Sequence, residues 1–167
     1  MDAIVRHHHR AGDPTFSEPT EHHEWLKKLL GDWTFTHECG DMSSSGSETV
    51  RAFSDLWIVG DGQGEIPGTD DTMRMRLTLG YDPNTQRYIG TWIGGPMAQM
   101  FIYNGTRDGD TLTLDTEGPS FEDPTKLVPY QDIYTVLDDN TRTLRSQKRE
   151  DDGSWTVFMN ATYTRDT

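Results

Sequence analysis

The sequence predicts an all-β fold: an antiparallel up-and-down barrel of about ten strands, with one short N-terminal helix closing an end. Three observations lead there. Apolar and polar residues alternate with period two in several separate runs from Trp33 to Arg165. Hairpin-type turn chemistry separates those runs at short, regular intervals. A Trp opens the first run and an Arg closes the last, as in a sheet that curls until its ends meet. A meander of this length closes on itself because closure removes both exposed edges.

Residues 1–19 are polar, carry Pro14 and Pro19, and show little periodicity, so a flexible tail is expected before a barrel domain over 20–167. The His7-His8-His9 run in that tail has no fixed geometry for a metal. A helix follows. Thr20 suits the N-cap, and Glu21 and Glu24 in the first turn suit the helix dipole. Trp25, Leu26, Leu29 and Leu30 form one apolar stripe, and Gly31 stops the helix. A single stripe must pack on something, and the open end of a barrel is the natural partner.

Beyond Gly31, Trp33, Phe35 and His37 alternate with Thr34, Thr36 and Glu38. Met73, Met75, Leu77, Leu79 and Tyr81 mark the clearest strand, and Trp155, Val157, Met159, Ala161 and Tyr163 form the same pattern in the last one. Turns fall at Asp82-Pro83-Asn84-Thr85, Asp108-Gly109-Asp110, Asp138-Asp139-Asn140 and Asp151-Asp152-Gly153. Strands are expected near 32–39, 46–54, 56–63, 72–81, 87–93, 97–106, 111–117, 127–137, 142–149 and 154–165, with 39–46 and 118–126 as less regular loops.

Composition narrows the partners. A hydrophobic fraction of 32% with 26% charged residues suits a thin shell whose strands face water on one side. A net charge of −13 is the wrong sign for replacing counterions along phosphates, and anionic membranes would repel it, so neither nucleic acid nor membrane is expected as a partner. A small apolar, aromatic or cationic molecule fits that charge. The single cysteine, Cys39, allows no internal disulfide. With no apolar leader and no run of membrane-spanning length, a soluble, cytoplasmic protein is expected.

The Gly-x-Trp at the start of the first strand, with an Arg in the last, resembles the structural motif of lipocalins and fatty-acid-binding proteins. The resemblance extends to the DUF1579 lipocalin-like (calycin-type) barrels, a bacterial family of unknown function. Four ordered stretches carry it: Glu24-Trp25-Leu26-Lys27-Lys28-Leu29-Leu30-Gly31-Asp32-Trp33; Gly80-Tyr81-Asp82-Pro83-Asn84-Thr85 running on to Tyr88 and Thr91-Trp92-Ile93; Leu112-Thr113-Leu114; and Tyr163-Thr164-Arg165. It implies a barrel base in which Arg165 packs over Trp33 through a cation–π contact and bonds loose carbonyls. It implies no common activity.

With Trp33 facing inward, Phe35, His37 and Cys39 share its face. Parity in the eighth strand stays open. The resemblance turns Tyr130, Asp132, Tyr134 and Val136 inward; the opposite register would bury Ile133 and Leu137. His37 reads either as a pocket histidine, able to anchor a ligand or act as a general base, or as a strand-end residue bonded to water or a neighbour. His37 with an inward Asp132 would make an acid–base pair; Asp132 could instead be held by Arg145 or a Tyr hydroxyl. Candidate ligand contacts are Phe35, His37, Trp92, Tyr130, Tyr134 and Met159. His37 and Cys39 are half of a metal site with no second pair, and no nucleotide fingerprint or nucleophile elbow is present, so neither metal nor cofactor is expected. The leading expectation is a cavity for a small, largely apolar ligand. An enzyme of isomerase, cyclase or hydrolase type, built on an inward His and acid, is the alternative. A solid barrel acting as an interaction module or homodimer is the third reading.

Overall fold

The computed structural model describes Asp13 and residues 15–167; the His7-His9 run and most of the expected tail lie outside the described residues. Helix α1 spans Glu21–Leu26 and runs into a 3-10 turn over Lys27–Leu29. Ten strands follow: β1 Gly31–Cys39, β2 Met42–Ala52, β3 Trp57–Glu65, β4 Thr72–Asp82, β5 Arg87–Gly95, β6 Phe101–Asp108, β7 Thr111–Pro119, β8 Leu127–Asp138, β9 Thr141–Arg149 and β10 Trp155–Arg165. They form a closed antiparallel barrel in chain order, sealed where β1 pairs with β10. Trp33 lies opposite Arg165 in that pairing and Phe35 opposite Tyr163.

Two boundaries differ from the sequence expectation by more than two residues. The 39–46 stretch is not an irregular loop: β1 and β2 turn tightly at Gly40-Asp41 and pair from Cys39↔Met42 to Gly31↔Val50. Its run of Ser residues carries no apolar alternation, so pattern reading misses a strand whose inner positions are small and polar. β6 starts only at Phe101. In β10 the register shifts between Val157 and Met159, and this bulge turns Trp155 and Val157 toward solvent although strict alternation would bury them.

The helix covers one end of the barrel, the base; the opposite end is termed the mouth. The helix and the β2–β3, β4–β5, β6–β7 and β8–β9 turns lie at the base; the other five connections ring the mouth. Trp25, Leu26 and Leu29 bury the helix stripe against Trp33, Ile58, Leu79, Tyr88, Leu112, Leu114 and Leu144 in one core cluster. The helix start is locked by a reciprocal cap. The Thr20 hydroxyl accepts from the His22 N–H at 3.2 Å, and His23 Nδ1 accepts from the Thr20 N–H at 2.9 Å. His23 Nε2 donates to the Tyr81 carbonyl at 3.0 Å; a ring that accepts at Nδ1 and donates at Nε2 is the neutral form, and burial lowers its pKa. His22 stacks on Tyr81, with ring centroids 4.1 Å apart.

Trp33 is buried at the centre of the base, and its Nε1–H donates to the Leu29 carbonyl at 3.0 Å. The Arg165 guanidinium lies 4.2 Å from its ring centroid. Arg165 also donates to the carbonyls of Asp139 at 2.8 Å, Lys28 at 3.2 Å and Leu30. Those carbonyls come from the end of the helical turn and from the β8–β9 connection, so one side chain of β10 ties two segments to the barrel floor.

Candidate functional site

Strand alternation, read with the pairing register, decides which side chains look inward. Just above Trp33 lies a cation that sequence reading did not single out. Arg142 on β9 is 1% exposed. It donates through Nη2 to Glu48 of β2, whose side chain is 14% exposed. Its guanidinium stands 4.0 Å from the Tyr163 ring centroid, 4.7 Å from Trp33 and 5.9 Å from Tyr134. Its Nε has no hydrogen-bond partner. Trp33 is thus under two guanidinium groups, those of Arg165 and Arg142. Room for the pair comes from β3, where Gly60 and Gly62 face Glu48 without a side chain.

Asp132 on β8 faces inward, in the register the resemblance implies. Tyr103 donates to its Oδ2, and the Ser146 hydroxyl donates to Oδ1 at 2.5 Å. Loss of solvation raises its carboxyl pKa above the usual carboxylate range, against the pull of those two donors. A Tyr hydroxyl, not Arg145, is its partner: Arg145 lies on the outer face and is exposed. His37 and Asp132 share no hydrogen bond.

His37 lies further along β1 from the base. Its ring stacks on Phe35, with centroids 4.3 Å apart and planes 18° from parallel. Burial lowers its pKa and favours the neutral ring. Among the described residues its ring nitrogens have no hydrogen-bond partner. Its cross-strand neighbour on β2 is Ser44. Ser44 is buried, faces the same interior, and its hydroxyl is also unpartnered. Directly opposed residues on one face hold their Cβ atoms about 4.5–5.5 Å apart. Two polar groups, an imidazole and a hydroxyl, therefore stand side by side without partners on the inner wall.

The residues around them separate into two levels. Phe35, Leu77, Tyr134, Ala161 and Tyr163 are buried in the packed lower half. His37, Met75, Trp92 and Met159 also turn inward by register, yet keep accessible surface, whereas the Asp132 carboxyl is shut in by its two donors. By strand position these accessible side chains lie on the mouth side of the packed core, and the interior there is termed the bowl. Phe35 forms its floor: the ring lies over Gly46 and Gly64 of the neighbouring strands, and a Cβ on Gly46 would overlap it. Of the candidate ligand contacts, His37, Trp92 and Met159 stand on the bowl wall, Phe35 is the floor, and Tyr134 belongs to the packed base beside Arg142. Tyr130 sits at the rim. It clusters with Phe121 and Phe158 at centroid distances of 5.7 and 5.9 Å, and its hydroxyl donates to the Pro119 carbonyl at 2.5 Å.

Cys39 lies half-buried near the mouth, and burial raises its thiol pKa. Among the described residues no three His, Cys, Asp or Glu side chains are grouped to hold a metal ion, and no helix is long and apolar enough to cross a membrane. Arg142, Ser44 and Ser146 are the site residues that sequence reading missed. One signal was available for two of them: Arg142, Leu144 and Ser146 alternate, so placing Leu144 inward places the others inward as well.

The chain is similar in fold to several solved barrels. An S-type phycobiliprotein lyase, CPES, from Guillardia theta superposes with a TM-score of 0.55 at 12% identity, over 86% of this chain and 92% of the lyase. EF1p2_mFAP2b bound to DFHBI gives a TM-score of 0.49 at 15% identity, over 87% of this chain and 99% of that one. The redesigned β-barrel mFAP1, bound to DFHBI, gives 0.47 at 16% identity, over 87% and 100%. At 12% identity the likeness to the lyase concerns the fold alone. Comparison with curated proteins gives no match. The DUF1579 model, described as a protein of unknown function, matches residues 18–165, and with the closed lipocalin-like barrel in view the chain belongs to that family.

Proposed function

We propose that the protein binds a small, largely apolar or aromatic molecule in the bowl at the barrel mouth, with one polar group of the ligand held by His37 and Ser44. The observation that carries this reading is the adjacent, inward and unpartnered pair itself. Buried polar groups are normally satisfied, and an unsatisfied hydroxyl costs about 1–3 kcal/mol. A hydroxyl beside a neutral imidazole offers both a donor and an acceptor, so it suits an alcohol, phenol, amide or carbonyl rather than a strong ion. The surrounding wall of Phe35, Met75, Trp92 and Met159 supplies the apolar contact that gives such a site its affinity. In this reading the Asp132–Tyr103–Ser146 cluster is part of the interior scaffold.

A titration with Nile red, a neutral probe bearing a carbonyl, tests it. The intact chain should enhance and blue-shift its emission saturably. His37→Ala and Ser44→Ala should each weaken binding about fivefold or more, as expected for one lost hydrogen bond of about 1 kcal/mol. Asp132→Asn should leave it within about twofold. Absence of saturable binding, or equal loss on Asp132→Asn, would refute the assignment.

A further inference from the structure

The barrel wall is not equally closed all round. β6 pairs with β5 as far as Trp92↔Phe101, and β7 pairs with β8 as far as Pro119↔Leu127. Between β6 and β7 the ladder stops at Asn104↔Asp115. Beyond that point residues 101–103 and 116–119 each have a strand neighbour on one side only. The wall splits along this seam toward the mouth.

A hollow of about 600 Å³ lies along the split, lined by Met100, Ile102, Thr116, Gly118, Leu127 and Pro129 among others. Met100, Ile102 and Leu127 are 58%, 68% and 68% exposed, an unusual concentration of aliphatic surface beside a broken ladder. The lining includes the carboxylates of Asp115 and Glu117 and no Lys or Arg. Asp115 accepts from Gln131 at 2.8 Å. On the inner side, Phe101 crosses the seam. Its ring lies against Gly118, where any Cβ would overlap it, and edge-on to Trp92 at 5.7 Å. Phe101 therefore stands between the outer hollow and a residue of the bowl wall. Thr116, the first residue of β7 without a β6 neighbour, is buried, and its hydroxyl has no partner.

We infer that the seam is a lateral binding groove and entrance for a single-chain alkyl amphiphile with a cationic head, the chain passing Phe101 toward the bowl. Aliphatic lining and a narrow split suit an unbranched chain better than a flat ring system. Carboxylates at the rim, on a chain of net charge −13, favour an ammonium head and oppose a carboxylate one. The Phe101 ring is the movable part: with Gly118 beneath it, one side-chain rotation opens the seam and no backbone bond of the β6–β7 ladder has to break. The inference rests on the mouth-bowl reading only for where the chain ends; the groove stands on its own lining.

Three variants of the intact chain separate these points, with dodecyltrimethylammonium below its micellar concentration as the probe and dodecanoate as its counterpart. The ammonium should bind saturably by calorimetry and dodecanoate at least tenfold more weakly. Ile102→Lys changes an exposed side chain, so it should fold normally. It should weaken ammonium binding at least tenfold while Nile red affinity stays within twofold. Phe101→Ala should speed ammonium association at least threefold in stopped flow, and Gly118→Ala, which crowds the ring, should alter that rate as well. Equal binding of dodecanoate, an Ile102→Lys effect under twofold, or an unchanged rate in Phe101→Ala would each overturn the inference. Loss of Nile red binding alone, with the ammonium results as expected, would overturn the bowl reading and leave the groove standing.

Discussion

Replacing Glu48 with Leu should cost the barrel about 3–5 kcal/mol, and replacing Arg142 with Met in the same chain should return most of that loss. Arg142 is 1% exposed and Glu48 14%, so the ion pair sits where a lone guanidinium has almost no water. Removing Glu48 leaves that cation with three ring faces, those of Tyr163, Trp33 and Tyr134. Each face offers about 0.5–2 kcal/mol, while the desolvation penalty of a buried ion is several kcal/mol. The rings cushion the charge and do not replace its partner. Arg142→Met alone should cost less, because the Glu48 carboxylate can turn to the water it still reaches. The double variant exchanges the pair for aliphatic side chains among aromatic rings and should approach wild-type stability. Urea unfolding followed by tryptophan emission on all four proteins gives the cycle. In a domain of this size a loss of 4 kcal/mol lowers the midpoint temperature by about 8–16 °C. Strict additivity, with a coupling energy under about 0.5 kcal/mol, would refute the reasoning and mean that the guanidinium finds water in the barrel.

Three further outcomes follow from the same contacts. Trp33→Ala should cost about 3–5 kcal/mol in urea unfolding, because it empties the base and leaves the Leu29 carbonyl unpaired; a loss under about 1 kcal/mol would show the base to be loosely packed. Asp132 has a folded pKa above its ordinary 3.8 because it is desolvated, so its contribution is full below that value and is lost as pH rises through the folded one. Asp132→Asn should therefore stabilise the protein at neutral pH and much less in acid; thermal melts from about pH 4 to about pH 8 check this, and a pH-independent difference contradicts it. Gly46→Ala should destabilise by about 1–3 kcal/mol through overlap with the Gln63 carbonyl of β3 and with the Phe35 ring, seen as a lower melting temperature, and should disturb Nile red binding because the bowl floor shifts.

The architecture was readable because alternation and turn chemistry are local properties: Met73 through Tyr81 states its own period, and Asp138-Asp139-Asn140 its own turn. The helix was readable for the same reason, down to the Thr20 cap, though not its reciprocal partner, since His23 serves there in place of the usual Glu or Gln. Boundaries failed where the signal was silent. Ser43 to Ser47 form a strand with no apolar face, and the β10 bulge shows only in its pairing with β9, where the register shifts between Val157 and Met159. The inward face of β1, with Phe35 and His37 above Trp33, followed from parity alone. Arg142 did not, because a sequence reader sends charges to water, and only the Glu48 partner and three stacked rings make its burial tolerable. Ser44 and Thr116 are the hardest case. Nothing in a serine or threonine announces that its hydroxyl will lack a partner; that is a property of what surrounds it.

The pairing of Trp33 with Arg165 also sets the order of events in making the protein. Those residues are 132 positions apart, and every contact that closes the barrel joins the first strand to the last. A chain emerging from the ribosome can form hairpins in turn, but the edge of β1 stays open until Arg165 has been synthesised, and the helix has no finished floor to cover. Contacts of such long range close slowly, and an open strand edge invites pairing with other chains. The vulnerable species is therefore the chain that has formed β1 to β9 and lacks β10, and a cellular factor that assists this fold would act on β1 while it waits.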